Sequence, residues 1–599
     1  MRRGLREASR CVHYCSRDDR TRVIQSSSKR SAAQIHLKAN REKGTLSLPQ
    51  HPSIMASLTI PLTLCAITSV WLLKRLLQRS AAVAQTLKDV GSCPGRGRLL
   101  YNPFGGLSLA IDRFSPFKWR FHDYHAAFDL YAHFQSTVLS SFVIWNGEQY
   151  YWLSDADAIK TVCNSRNIFE KDLPVYEKFL NFWGSNIIST EGNEWKMHRG
   201  VARSAFNEAN NALVWSETTR ISSQWMSNLK KEVEVDLLED LRLITMQVIQ
   251  GAGFGRRPTW AEASSKQADG DRMPFEEALA TAGSNLIPRS ITPSWLIDIA
   301  EKAGIKKLTV IRTSFDDIKF HMLDLVQLAR SWLAGDDKDK ALDAALLRNL
   351  VQGNNDEAES NRLDDGQLLS NAFIFLVAGH ETTAHSLSFM VAFLAIYPEV
   401  QRKVREEVLS LTGGDPTVQL SYKEHMSKLV YTLAVFYETG RLCTVAPRLG
   451  RRVLSDTTLT SRRFEIASDG SAERVQEFDV SLKRGSQVIV DLTAVHRNPI
   501  HWGRDVNEFK PERFIDTDTY HWPRNAFLAF STGHRSCIGQ KFSTTESLCL
   551  VANLVRQFDI LPPPDLRDKS FSEQKGITDW KTWLTSTPSN ARVTFKPRF

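Results

Sequence analysis

The chain has 599 residues, of which 42% are hydrophobic and 24% charged; this composition is typical of a folded protein with a large core and excludes disordered and fibrous classes. Its eight cysteines are widely scattered, which excludes a disulfide framework and favours a reducing compartment. Most of the net charge of +9 comes from residues 1–50, where 12 Lys or Arg stand against 4 Asp or Glu. The rest is nearly neutral, which excludes nucleic-acid binding by the whole protein.

The N-terminal region predicts a membrane anchor. Residues 54–73, IMASLTIPLTLCAITSVWLL, form 20 residues without a formal charge and are followed by Lys74, Arg75 and Arg79. This length suits a transmembrane helix, and cations on its C-terminal side favour a cytosolic location for the rest of the chain. A buried core helix or a secretory signal peptide is the alternative interpretation.

Residues 1–53 form a basic extension without apolar periodicity. Three interpretations compete: a start codon placed too early, a mitochondrial targeting peptide and a disordered basic arm. We prefer the first, because a chain beginning at Met55 restores the charge asymmetry of a signal anchor.

Residues 74–106 are predicted to be a basic hinge rich in Pro and Gly, and residues 107–599 a globular domain. The hinge contains GSCPGRGRLLYNPFGG, whose Gly and Pro residues are typical of a stiff turn. Within the domain, the segment from Thr460 to Gln476 is predicted to be a surface loop between strands.

A long apolar segment beginning near Asp364 or Asp365 and ending at Pro398 predicts a helix that runs through the core. In its middle, AGHETT places Gly379 beside the acid Glu381 and the hydroxyl of Thr382. Burying a carboxylate costs several kcal/mol unless it has a partner or a function. The motif predicts either a satisfied core pair or a local helix distortion that admits water or a diatomic ligand.

Two other motifs are weak when taken alone. Glu438 and Arg441 lie three residues apart on a predicted helix, and Arg513 in PERF is predicted to join them in a charge network. Trp195 and Arg199 lie four residues apart, and an indole N–H with a guanidinium suits one anionic group. A solvated salt bridge and an exposed helix face are the simpler interpretations.

The segment FSTGHRSCIG places Cys537 between glycines, with Arg535 two residues before it. Taken in chain order, WKMHR, AGHETT, ETGR, PERF and FSTGHRSCIG resemble the cytochrome P450 superfamily. The signature Phe-x-x-Gly-x-Arg-x-Cys-x-Gly is complete, and the resemblance covers the chain from about residue 90 to its end. It implies a P450 fold, mainly α with smaller β-sheets (α+β), here preceded by the transmembrane helix.

The resemblance also implies roles for the motif residues. Cys537 is the position of the thiolate that ligates the haem iron, which favours O–O cleavage. Phe530 shields the sulfur, and Gly533 and Gly539 let the loop approach the macrocycle. The remaining roles are these: the haem propionates are bound by Trp195, Arg199, Arg535 and Arg451, with Arg448 or Arg452 as substitutes for the last; oxygen is activated by Gly379, Glu381 and Thr382; and a structural charge network is formed by Glu438, Arg441 and Arg513.

The implied activity is monooxygenation of a hydrophobic small molecule in secondary metabolism, with haem b and O2. Electrons derived from NADPH are expected from a cytochrome P450 reductase, with cytochrome b5 as a further partner, since the sequence shows no flavin or nucleotide-binding domain. The expected location is the endoplasmic reticulum membrane, single-pass with a cytosolic catalytic domain, or alternatively a mitochondrial membrane. Other functions weighed are a thiolate-haem isomerase or dehydratase and a non-catalytic membrane protein that binds haem or lipid.

The substrate pocket is expected to be apolar. Phe375 and Ala378 precede Thr382 by about a turn or two, and Val445 and Ala446 follow the Glu438 helix. More pocket residues are expected from FDLYAHFQ to YYWLSD and from residues 255–300, although core packing is an equally good explanation for Phe375.

Overall fold

The computed structural model describes residues 53–91, 93–99, 127–144, 146–229, 231–264, 272–335, 345–582 and 585–599. The predicted basic extension up to residue 52, the end of the hinge and the start of the globular domain lie outside the described residues. The chain divides into two units, Met1–Leu72 and Leu73–Phe599. The candidate active site lies in the second unit.

The first helix, α1, runs from Ser53 to Asp89 and contains the predicted anchor. Among the helices that the structure describes, none combines enough length and hydropathy for a membrane span, so the transmembrane prediction for residues 54–73 is not supported. Residues 74–89, predicted as hinge, are helical; the Gly- and Pro-containing turn begins only at Val90.

The fold is mainly helical with smaller sheets, as predicted. The further α-helices are α2 (Asp129–Phe134), α3 (Ala156–Asn164), α4 (Leu173–Leu180), α5 (Gly192–Ala205), α6 (Glu208–Met226), α7 (Leu237–Val248), α8 (Trp260–Ser264), α9 (Phe275–Ser284), α10 (Leu286–Ile291), α11 (Ser294–Lys302), α12 (Lys306–Ala334), α13 (Leu346–Asp356), α14 (Asp365–Ile396), α15 (Pro398–Ser410), α16 (Tyr422–His425), α17 (Val430–Leu442), α18 (Leu492–Val495), α19 (Pro499–Trp502), α20 (Gln540–Gln557) and α21 (Phe571–Gln574).

The strands form one larger sheet and three small ones. They are β1 (Gly97–Leu99), β2 (Val138–Val143), β3 (Gln149–Leu153), β4 (Phe169–Glu170), β5 (Val233–Asp236), β6 (Arg448–Val453), β7 (Thr457–Ile466), β8 (Ala472–Leu482), β9 (Gln487–Asp491), β10 (Phe558–Leu561), β11 (Trp580–Thr582), β12 (Ser586–Pro588) and β13 (Arg592–Pro597). The six-stranded sheet has the order β1-β2-β3-β9-β6-β4, and the others are β10-β13-β5, β11-β12 and β7-β8. Within the large sheet, β1 pairs in parallel with β2 and β3 in parallel with β9; the other pairs are antiparallel.

The predicted surface loop between Thr460 and Gln476 is wrong. Most of it belongs to the antiparallel hairpin of β7 and β8, with only residues 467–471 left as the turn. Buried Leu459 and Phe464 lie on β7, and charged residues of the same strand are exposed to solvent. These charges conceal the strand pattern in the sequence.

The core is organised around α14. Of its 32 residues, 24 are buried, so it is a core helix and not a surface one. It packs against α7 on one side and α17 on another. The predicted start is confirmed: Asp364 caps the helix in a capping box with Gln367. Pro398 begins the next helix, and α14 ends two residues before it.

Candidate active site

A cavity of about 400 Å³ lies beside the middle of α14. Most of the predicted site residues line it, although they come from four regions of the chain: Trp195, Arg199, Phe375, Ala378, Gly379, Thr382, Val445, Ala446, Arg451, Phe530, Arg535, Cys537 and Gly539. Glu381 and Gly533 are not among the lining residues. Much of the wall is apolar, with Phe206, Ile249 and Phe436 among its members, so the cavity suits a hydrophobic occupant.

At Gly379, α14 packs against the side chain of Ile249, in a neighbouring π-helix, Ile249–Gly253. A Cβ atom at residue 379 would lie 2.5 Å from Cδ1 of Ile249. The helix α14 continues as α-helix across this glycine, so the predicted local distortion is not found there. The irregular backbone is in the partner segment Ile249–Gly253, which the sequence does not indicate.

The loop before α20 holds Cys537 at the cavity. The N–H of Cys537 donates to the carbonyl oxygen of Phe530 at 2.9 Å and closes the loop. Gly533 has a φ of +71°, and a Cβ atom there would lie 2.7 Å from Oδ1 of Asn164. This position therefore requires glycine for conformation and for space. At Gly539 a Cβ atom would lie 3.9 Å from the sulfur of Cys537 and 3.9 Å from a ring carbon of Phe206, which is ordinary contact. The approach of this glycine to a macrocycle stays a prediction.

The thiol of Cys537 is enclosed by protein and accessible from the cavity. Burial raises its pKa, while backbone N–H groups of Gly539 and Gln540 and the charge of Arg199 oppose the rise. These are the groups that stabilise a thiolate, and the sulfur remains exposed to the cavity. Such an atom is suited to ligate a metal once it has lost its proton.

Cationic and aromatic groups line one side of the cavity. The guanidinium carbon of Arg535 lies 4.2 Å from the ring centroid of Trp195, and His534 packs edge-on against the same indole at 5.5 Å. Arg535 pairs with Glu191 and donates to the carbonyl oxygens of Ile187 and Thr190, yet its Nε is buried without a partner. Burial lowers the pKa of Arg535 to about 10.

The structure distinguishes the three arginines of β6. Arg448 pairs with Asp491 at 3.2 Å and stacks on Trp152. The side chain of Arg452 is 47% exposed and lies 4.0 Å from Asp172. Arg451 alone of the three lines the cavity, which favours it over the other two as the ligand of an anionic group.

Lys171 and Tyr176 are cavity residues that the sequence analysis missed. The ammonium of Lys171 donates to the carbonyl oxygen of Ile188 at 2.8 Å and lies 5.2 Å from the ring centroid of Tyr176. Burial lowers the pKa of Lys171 far below its ordinary value, and Arg535 and Arg451 lower it further. No motif marks this lysine, because its position follows from the packing of β4 and α4.

Thr382 and Glu381, predicted to act together, point to different surroundings. Thr382 lines the cavity, and its hydroxyl donates to the carbonyl oxygen of Ala378 at 2.7 Å. Glu381 is not buried: its side chain is 31% exposed and pairs with Arg242 at 3.4 Å. The expectation of a buried carboxylate at Glu381 is wrong, because this residue, next to Thr382 on the helix, faces α7 and solvent instead of the cavity.

The predicted charge network is present. Arg441 donates to both carboxylate oxygens of Glu438 at 2.6 and 2.8 Å, and Arg513 lies 3.4 Å from the same carboxylate. All three side chains are buried, and Asp505 extends the network by pairing with Arg513 at 2.7 Å. The network joins α17 to the segment 505–513, and none of its members lines the cavity.

The expectation of pocket residues from two further stretches is not met. None of the described residues from 128 to 155 or from 255 to 300 lines the cavity. The first stretch supplies core strands β2 and β3. The lining that the sequence did not predict comes from buried apolar positions such as Ile249, Ile374 and Leu449, which carry no motif.

The cationic side chains and the thiol of the cavity fit a large group that carries negative charges and a metal that binds thiolate. Lys171, Arg199 and Arg451 line one cavity, and no carboxylate lies within ion-pair distance of them among the described residues. The unpartnered Nε of Arg535 adds a donor. Two carboxylates, as in the propionates of haem, would balance these charges, and Cys537 would supply a thiolate to the haem iron. Fold and site together therefore define a mainly helical thiolate-haem protein.

Comparison with known proteins agrees. The family model described as Cytochrome P450 matches residues 116–469 and 471–585. A cytochrome P450 monooxygenase of Postia placenta is 34% identical over 469 residues, which cover 77% of this chain and 86% of that protein. A P450 monooxygenase of the phomenoic acid biosynthesis cluster of Leptosphaeria maculans is 26% identical over 462 residues, covering 71% and 76%. A bifunctional P450 and NADPH–P450 reductase of Alternaria alternata is 27% identical over 330 residues, covering 55% and 26%.

The chain belongs to the cytochrome P450 family. It is a haem monooxygenase, an oxidoreductase that uses O2 and electrons from a redox partner.

Proposed function

We propose that the chain hydroxylates a hydrophobic small molecule of secondary metabolism, using haem b and electrons that a separate NADPH-dependent diflavin reductase supplies. Cytochrome b5 is the second electron donor in this proposal. The observation that carries it is the enclosed cavity in which the thiol of Cys537 faces apolar walls and one cationic side. In the reaction one atom of O2 enters the substrate, and the other leaves as water with two electrons and two protons.

The residues of the cavity would have separate roles in binding haem and in binding the substrate. Cys537 would ligate the haem iron, and Trp195, Arg199, Arg451 and Arg535 would hold the propionates. Haem, when bound, supplies the oxygen activation and the oxidising power. The apolar residues Phe375, Ala378, Val445 and Ala446 would orient the substrate and exclude water from it.

Thr382 would hold a proton at its hydroxyl oxygen within the cavity. Its hydroxyl bonds the helix carbonyl of Ala378, so it would rotate to donate elsewhere. Glu381 would take protons from the solvent side, because it is partly exposed and outside the cavity.

We expect Thr382→Ala to bind haem normally and to release more hydrogen peroxide per NADPH consumed. The amount of peroxide is measured against the amount of oxidised product. Ser388→Ala, on the same helix but outside the cavity, is the control, and fully coupled turnover in Thr382→Ala would contradict the role.

The proposal is tested by the carbon-monoxide difference spectrum of the reduced protein. We expect the full chain to give the red-shifted Soret band of a thiolate-ligated haem and Cys537→Ala to lose it. Cys163→Ala, at a buried cysteine outside the cavity, is the matched control and should keep the band. A band that persists in Cys537→Ala would overturn the assignment of the thiolate.

A further inference from the structure

A second cavity, of about 560 Å³, shares no lining residue with the haem cavity. Its walls come from the end of α14, the end of α17, the segment 497–509, the segment 575–581 and Ser589. Neither the P450 motifs nor the proposed reaction uses it. It combines two features that usually occur in ligand sites, an aromatic wall and a cationic side.

The aromatic wall is preformed. The rings of Phe393 and Phe509 are stacked with centroids 4.2 Å apart, and Tyr397 packs on Phe509 at 5.0 Å. Trp580, at the start of β11, also lines the cavity. Flat rings of this kind bind an apolar or aromatic body by contact area and by offset stacking.

The cationic side is formed by Arg497, Lys575 and Lys581, and Asp579 is the one carboxylate among the lining residues. In the part of the chain that the structure covers, no carboxylate lies within ion-pair distance of these three cations. Arg497 donates through Nη2 to the carbonyl oxygen of Leu442 at 2.8 Å, whereas its Nε is buried and has no partner. Arg497 is partly buried. A partly buried guanidinium without a counter-ion is unfavourable, and an anion in the cavity would remove part of that cost.

We propose that this second cavity binds an organic anion, a carboxylate or phosphate group carried on an aromatic or other apolar body. The anionic group would accept hydrogen bonds from Arg497 and the two lysines, and the body would lie on the aromatic wall. Charge-assisted bonds to a guanidinium are among the stronger polar contacts in proteins. The proposal does not depend on the reaction of the haem cavity.

Two structural links connect this site to the haem cavity. Leu442 and Cys443 line the second cavity, and Val445, two residues further along, lines the first. The N–H of Ser586 in β12 donates to the carbonyl oxygen of Val445 at 2.8 Å, and β12 pairs with β11, which carries Lys581. An occupant would therefore contact elements that also position the wall of the haem cavity.

Isothermal titration of the full haem-loaded chain tests the proposal, with 2-naphthoate and inorganic phosphate as separate probes. We expect 2-naphthoate to bind at one site. Arg497→Gln and Lys581→Gln should each raise its Kd about tenfold, since each substitution removes a charged donor. Lys428→Gln, at an exposed lysine outside the cavity, is the control and should bind like the parent. Lys581 is exposed, so its variant remains informative if Arg497→Gln does not fold.

Three results would overturn the proposal. One is the absence of a binding signal for 2-naphthoate, and another is an equal Kd in the parent and both variants, which would place the ligand elsewhere. Inorganic phosphate binding as tightly as 2-naphthoate would show an anion site without a role for the aromatic wall. None of these results bears on the thiolate spectrum that tests the proposed function.

Discussion

At the scale of single residues, burial and charge decide which groups matter at the haem cavity. Lys171 has no motif, yet it is one of three cations that line the cavity without a carboxylate partner in the described chain. An ammonium in such a place is unfavourable in the empty protein. It becomes favourable when a carboxylate enters, which suits a role in holding a propionate.

We expect Lys171→Met to lose haem several-fold faster than the parent, because one counter-charge for the propionates is removed. The haem-free variant should unfold at the same or higher denaturant concentration, since the cost of a partly buried cation without a carboxylate partner is also removed. Haem transfer to an apo-globin scavenger and urea unfolding measure the two effects. Lys160→Met, at an exposed lysine of α3, is the control; equal haem loss in parent and variant would rule the role out.

His496 is a buried histidine whose protonation favours the unfolded chain. It is fully buried, and its Nε2 accepts from the N–H of Leu528 at 2.8 Å while Nδ1 bonds the hydroxyl of Thr444 at 2.8 Å. Burial and the charges of Arg441 and Arg497 lower its pKa to about 3. The folded state thus holds a neutral imidazole with its proton on Nδ1.

We expect the free energy of unfolding to fall as pH decreases below about 6.5, by about 1.4 kcal/mol per pH unit from this residue alone. The free energy falls because the unfolded chain binds the proton near pH 6.5 and the folded chain binds it only near 3. Urea unfolding between pH 7 and pH 5 measures the slope. In His496→Gln the slope of the unfolding free energy against pH should decrease by the amount that corresponds to one proton. The surface variant His521→Gln serves as control, and an unchanged slope in His496→Gln would refute the assignment.

At the scale of elements, the loop before α5 joins the cavity to the start of α14. The N–H of Ile187 donates to Oδ1 of Asn371 at 2.9 Å, and the carbonyl oxygen of Ile187 accepts from Arg535 at 3.0 Å. The loop can lie this close because Gly184 meets Gly366 directly: a Cβ atom at residue 184 would lie 2.7 Å from the carbonyl carbon of Gly366. Backbone atoms cannot move aside as a side chain can.

We expect Gly184→Ala to destabilise the protein by about 1–3 kcal/mol, the usual cost of inserting a methyl group into a closely packed contact. Gly283→Ala in α9 is the matched control, because its nearest neighbour would be 3.9 Å away and alanine favours a helix by up to about 1 kcal/mol. Urea unfolding compares the two. Equal stability of the parent and Gly184→Ala would show that this contact is not tight.

At the scale of the whole molecule, two of the cavities formed by the described residues differ in their lining. The haem cavity is largely apolar around one thiol, whereas the second cavity is open to charged side chains. Both adjoin α14 and α17. Because these helices lie in one packed core, changes in one cavity are expected to reach the walls of the other.

A further prediction concerns the supply of electrons, which the proposed function assigns to a separate reductase. We expect the purified chain to consume no NADPH with substrate and O2, and to consume it once a diflavin reductase is added. NADPH absorbance with product analysis measures this, and Cys537→Ala with the same reductase is the control. Rearrangement of a peroxide substrate without NADPH would instead identify a thiolate-haem isomerase.

The sequence by itself determined the long core helix and its start at Asp364 or Asp365, and it predicted the loop around Cys537 and the pairing of Glu438 with Arg441, because each depends on residue types at short spacings along the chain. The contact of Arg513 with the same carboxylate joins segments far apart in the chain, so its prediction rested on the family resemblance and not on spacing. It did not show that Glu381 lies outside the cavity, that residues 74–89 are helical, or that Lys171 lines the cavity. It also did not reveal the second cavity. These features depend on which side chains distant segments bring together, and only the tertiary packing decides that, since burial and charge pairing are properties of neighbours in space and not along the chain.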